Sequence, residues 1–165
     1  DRGRRDGDGR VSARMERTTN GEIVFRGKLL PAGPWHAEPD HEDLRSPEGF
    51  ACILHRGPFG AWCGYVGVPP GHPWHGKGYN DVDASVHGGL TYADPCQGDI
   101  CHVPQLGESD DVWWLGFDCA HAGDVGFFDI SSYAGVPEYG VYRTIEYVRA
   151  ETLSLAVQVH AAVTR

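Results

Sequence analysis

Apolar residues recur along this chain in two different ways. Residues 50–56 and 61–68 form two apolar, β-branched runs separated by Gly57-Pro58-Phe59-Gly60. Turn formers between two such runs predict an antiparallel hairpin. Residues 112–119 are the most apolar run and predict a buried strand. A short strand is expected over 22–26, and another around 85–90 within the segment 82–92. From 142 to 163 the chain has no Gly or Pro, and Ile145, Val148, Thr152, Leu155, Val159 and Val163 recur at spacings of three and four. That is one face of a helix of roughly twenty residues. Segments 31–39, 69–80 and 94–111 are rich in Gly, Pro or polar residues and predict loops, with a turn at 44–49. The expected fold class is α+β: a mostly antiparallel sheet with long irregular loops, covered on one face by the C-terminal helix.

Length and charge narrow the picture. The 165 residues suit one domain, taken as 15–165. Residues 1–14 are rich in Arg, Gly and Asp without aromatics, the composition of a disordered tail. Met15 is the only methionine, which makes it the expected native start. The chain has 14 Lys and Arg against 23 Asp and Glu. Because Arg2, Arg4, Arg5, Arg10 and Arg14 precede the body, the body is more acidic still. Such a field disfavours binding to a nucleic-acid backbone and leaves a small-molecule substrate as the expected partner. No apolar run approaches the ~20 residues of a membrane span, and no secretory h-region is present. An odd count of five cysteines predicts reduced thiols and a cytoplasmic protein. Cys96 and Cys101 are the exception, since they flank a short loop and can pair or bind metal. Oligomeric state is not legible.

Candidate chemistry concentrates in two segments. Gly116-Phe117-Asp118-Cys119-Ala120-His121-Ala122-Gly123-Asp124 follows the apolar 112–115 run, so a strand delivers Asp118, His121 and Asp124 onto a turn. His87, with Gly88 and Gly89 after it, is expected at the end of the 85–90 strand. Two imidazoles and two carboxylates suit zinc or manganese. The leading expectation is therefore a metal-dependent hydrolase of a small polar substrate, with His87, Asp118, His121 and Asp124 as ligands. Metal-bound water would be the nucleophile, and Asp124, Glu38 or His121 would handle its proton. Glu38 enters because Pro39 fixes it relative to Asp40. Trp35, His72, Trp74, Tyr79 and Tyr92 are expected to line the pocket, and Arg143 to neutralise an anionic substrate or to pair structurally with one of the acids. Cys119 reads as a packing thiol. The Cys96–Cys101 spacing does not match the Pro-Cys-x-x-Cys run of nucleobase deaminases. The alternative is a non-catalytic, phage-type accessory protein that binds a small ligand or a host protein.

Gly64-Tyr65-Val66, His72-Pro73, Val86-His87-Gly88-Gly89-Leu90-Thr91-Tyr92, the 114–124 segment and Tyr142-Arg143-Thr144 carry a resemblance. Together, across residues 35–160, they are similar to an uncharacterised family of small phage and actinobacterial proteins. The resemblance implies a self-contained phage-type or bacterial cytosolic domain. It implies no activity.

Overall fold

A computed structural model describes residues 15–164; the expected tail at 1–14 lies outside the described residues. The fold is α+β. Strands β1 (Met15–Arg17), β2 (Ile23–Phe25) and β3 (Lys28–Leu29) form a small antiparallel sheet. Strands β4 (His41–Arg45), β5 (Ala51–Arg56), β6 (Trp62–Val68), β7 (Tyr92–Pro95) and β8 (Trp113–Asp118) form a second one. Its order is β4-β5-β6-β8-β7, with all neighbours antiparallel. Helices α1 (Phe127–Tyr133) and α2 (Ile145–Val163) follow.

Side chains alternate across the large sheet. Cys52, Leu54, Trp62, Val66, Val68, Leu115 and Phe117 face α2 and join Ile145, Val148, Leu155 and Val159 in the main core. Ala51, Ile53, Tyr65 and Trp114 point the other way, where Ile100 and Val112 of the 96–112 loop cover them. Helix α2 starts at Thr144, whose hydroxyl accepts from the Tyr147 amide at 3.3 Å. It crosses β6 at Gly64, where an added Cβ would lie 2.1 Å from Thr152 Oγ1. Any larger residue at position 64 would push the helix off the sheet. The helical face agrees with expectation except at its end. Val163 is exposed, and Ala162 is buried in its place.

Two expectations change, and of the two roles open to Cys96 and Cys101 the structure has the pairing. Residues 85–90 are loop, not strand, because Gly88 and Gly89 both take positive φ (69° and 81°) and the chain turns there. The strand in this region is β7, further on. Cys96 and Cys101 are joined in a disulfide, whereas Cys52, Cys63 and Cys119 are free. Strand β4 lies where no strand was expected, after the loop expected at 31–39 and overlapping the turn expected at 44–49. Among the described residues no helix is long and apolar enough to cross a membrane.

Candidate functional site

Strand β8 ends at Asp118, and the turn that follows returns Asp124 beneath the 82–91 loop. His87 and Asp124 meet there. His87 Nε2 lies 2.7 Å from Asp124 Oδ2, and His87 Nδ1 lies 2.7 Å from the Tyr147 hydroxyl. Asp124 also accepts from Arg143 Nε on Oδ1 and from the His121 amide on Oδ2, both at 3.0 Å. Arg143 stacks over the Tyr147 ring at 4.7 Å, and the Tyr147 hydroxyl reaches Glu151 Oε1 at 3.3 Å. Three segments thus meet one buried carboxylate, a loop, a turn and the lead-in to α2, and the first turns of α2 join it through His87.

The electrostatics follow from this packing. Burial pushes the Asp124 carboxyl up, but hydrogen bonds from His87, the His121 amide and Arg143 outweigh it and hold the group below the usual range. The Asp124 bond raises Arg143 further. Both ends of that pair are therefore charged at neutral pH. Burial, then the nearby Glu151 carboxylate, raises the Tyr147 phenol, so it is protonated. An ionised Asp124 at Nε2 requires a proton on that nitrogen. With the ring neutral, His87 Nδ1 carries the lone pair and faces the Tyr147 hydroxyl, whose single proton also faces Glu151 Oε1 at 3.3 Å. The resulting line is carboxylate, imidazole, phenol.

His121 and Asp118 form a second, looser pair. His121 Nε2 lies 3.2 Å from Asp118 Oδ1 but off line for a hydrogen bond, so this buried nitrogen has no good partner. The two groups are close, but the angle makes their contact weak. The ring packs against Gly88, where an added Cβ would lie 2.2 Å from Nε2. The centroids of the His87 and His121 rings are 5.9 Å apart. Asp118 also accepts from Thr91 Oγ1 at 2.8 Å and from the Ala120 amide at 3.0 Å.

These donors do not fit a zinc or manganese centre. Asp124 spends one oxygen on a guanidinium and the other on His87 and His121, so a cation there would meet Arg143. Among the described residues no group of three or more His, Cys, Asp and Glu side chains is disposed to hold a metal ion.

The other expected residues are dispersed. Glu38 is buried and serves as a structural anchor. It accepts from Arg56 at 3.1 Å, Trp62 at 3.4 Å, the Ile145 amide at 2.6 Å, and Tyr142 through a short bond. Its carboxylate thereby caps the start of α2, and no solvent-facing base remains. Trp35 is buried edge-on against Tyr142. His72 is buried too, with Nε2 2.7 Å from the Val159 carbonyl, and its ring packs on Trp74. Tyr79 is exposed, and Tyr92 packs on Tyr65 across the opposite face of the sheet. A groove of about 600 Å³ lies elsewhere, lined by Asp43, Leu44, Arg45, Ala51, Cys52, Cys101, His102 and Val103. Burial pushes the Cys119 thiol up to about 12, as expected for a packing residue.

Sequence reasoning named His87, Asp118, His121, Asp124 and Arg143, which come together. It missed Tyr147, Thr91 and the role of Glu151. The available signal for Tyr147 was its position one residue before the buried Val148, at the edge of the helical stripe. No protein-family model, curated protein or solved structure matches this chain.

Proposed function

We propose that this chain is a hydrolase of a small polar substrate that works by general acid–base catalysis at Tyr147, with His87 and Asp124 behind it. One observation carries the reading: the in-line contacts of 2.7 Å on both nitrogens of His87. A fixed carboxylate on Nε2 holds the tautomer and stabilises the imidazolium that forms when Nδ1 takes a proton, the logic of a Ser-His-Asp triad with a phenol in the serine's place. Tyr147 is the group that meets the substrate. Its proton passes to His87 as the phenol oxygen takes one from the attacking water; the hydroxide adds to the substrate, and the imidazolium gives its proton to the leaving group as that bond breaks. Arg143, ion-paired but partly exposed over the Tyr147 ring, favours a substrate that carries or develops negative charge. His121 positions Asp124 through its amide.

A screen of phosphoesters, amides and nucleotides tests this, followed by Tyr147→Phe and His87→Gln on any active substrate. A loss of about 10²–10⁴-fold in kcat is expected from either change. Turnover preserved in both variants would remove the relay from the chemistry.

A second reading, a non-catalytic accessory protein, is favoured by a different observation. Among the pockets described, none is lined by His87 or Tyr147. Phe128, Tyr133, Val136, Tyr139 and Val141 are all exposed on and after α1. The His87–Asp124 contact would then pin the 82–91 loop to α2, and the α1 region would meet a protein partner.

A further inference from the structure

A second pair of histidines, unconnected with His87, lies at the edge of the large sheet. His41 of β4 and His55 of β5 are direct cross-strand partners. They stand on the face away from α2, in line with Ile53, with side chains 35% and 29% exposed. Their Nδ1 atoms face each other at 3.0 Å, and the rings meet edge to face. Each remaining ring nitrogen looks at a carboxylate. His41 Nε2 is 3.2 Å from Asp43 Oδ1, and His55 Nε2 is 3.8 Å from Asp99 Oδ2.

That arrangement decides where the protons sit. Asp43 beside His41 Nε2 favours the tautomer protonated there, which leaves that Nδ1 as a bare donor; His55, whose carboxylate stands off at 3.8 Å, gives up its Nδ1 proton when a metal binds. A proton between the two nitrogens makes the ring-to-ring hydrogen bond seen here; once that proton leaves, a cation set to one side of the N–N line can take both lone pairs. Metal-bound imidazole nitrogens stand about 2.0–2.1 Å from zinc, which places two of them about 2.9–3.4 Å from each other. The 3.0 Å separation falls within that span. Carboxylates on the distal nitrogens are also how ligating histidines are held in other metal sites.

We propose that His41 and His55 form a chelating site for one borderline divalent cation of the zinc or copper type, ligated through both Nδ1 atoms. Asp43 and Asp99 orient the rings from behind. Among the described residues no third His, Cys, Asp or Glu completes a cluster, so water fills the remaining positions. Carboxylate-loving ions such as magnesium find no direct oxygen ligand here and are not bound.

The test is a calorimetric titration of the full chain, without an affinity tag, with Zn²⁺ at neutral pH. One ion per chain is expected. His41→Gln and His55→Gln should each weaken it at least tenfold, Asp43→Asn about tenfold, and His121→Ala not at all. Both histidines are partly exposed on a paired edge, so circular dichroism should show the variants folded. Should one variant fail to fold, ¹⁵N NMR of the parent protein gives the same answer, because Zn²⁺ must shift the Nδ1 resonances of these two rings. Absence of uptake, equal uptake in both His→Gln variants, or loss only in His121→Ala would overturn the assignment.

Discussion

His87 and Asp124 share a 2.7 Å contact although 37 positions separate them and neither lies within a helix or a named strand. The contact joins the loop before β7 to the turn after β8. Those two segments flank antiparallel neighbours, so the sheet itself brings their ends together. Arg143 then ties the same carboxylate to the approach of α2, and Tyr147 ties the imidazole to the helix. Two loops and a helix are fixed through one acid.

Replacing Asp124 should therefore cost stability as well as any activity. Its side chain is 2% exposed and ion-paired. Asp124→Asn keeps the shape but leaves Arg143 and His87 without an anion, at about 2–3 kcal/mol. Urea denaturation should show the midpoint falling with an unchanged slope. An unaltered midpoint would mean that the network carries no energy.

Glu38 should separate from the site in the opposite way. Arg56 is buried beside it and stacks over Trp62 at 4.5 Å and Phe127 at 4.9 Å. Glu38→Gln leaves that guanidinium with Asp40 alone, 3.1 Å from its Nε, as counter-charge and should cost about 3 kcal/mol. In protein that still folds, the His87 resonances should be unchanged by NMR.

Gly88→Ala tests the packing between the two motifs. At φ 69° an added Cβ is strained, and it would lie 2.2 Å from the His121 ring. A loss of more than about 1 kcal/mol is expected, with the His121 ring displaced. His87 should keep its bond to Asp124, because its own backbone precedes the clash.

Acid sensitivity has a defined sign. The Arg45 bond holds Glu108 down to about 2, against burial, with help from the Gln105 amide and His102. An unfolded glutamate titrates near about 4.3. A depressed folded value adds stability that is complete above the unfolded value and is lost as pH falls toward 2. Asp124 and Asp40 are lowered too and act in the same direction. Arg45→Gln should thus be less stable than the parent at pH 7, and the difference should shrink steadily below about pH 4.3. A difference that stays constant down to pH 2 would assign the loss to packing instead.

Much of the architecture was legible because local and tertiary signals agreed. Gly57-Pro58-Phe59-Gly60 lies between runs that pair as β5 and β6, and the 112–119 run became β8. Where they disagreed, the pattern misled. The 85–90 segment has strand-like apolar spacing, but consecutive left-handed glycines stop it from pairing. Strand β4, His41–Arg45, carries His, Glu, Asp and Arg with Leu44 alone to suggest burial. It is an edge strand whose Glu42 bonds Arg149 of α2 at 2.9 Å, so its alternation is polar on both faces. In the site, residue types pointed to the right segments, but which atoms meet depends on α2. Arg143 turns to Asp124 while the adjacent Tyr142 turns to Glu38, a division that spacing does not reveal. The paired His41 and His55 were invisible for the same reason: register alone makes them neighbours.

The proton arrangement at His87 is the most direct test of the account, and ¹⁵N NMR of the imidazoles measures it. At neutral pH the Asp124–His87–Tyr147 line requires Nε2 to carry a proton with a downfield resonance that vanishes in Asp124→Asn. A bare Nε2 in the parent protein, or a resonance indifferent to the loss of Asp124, would contradict it.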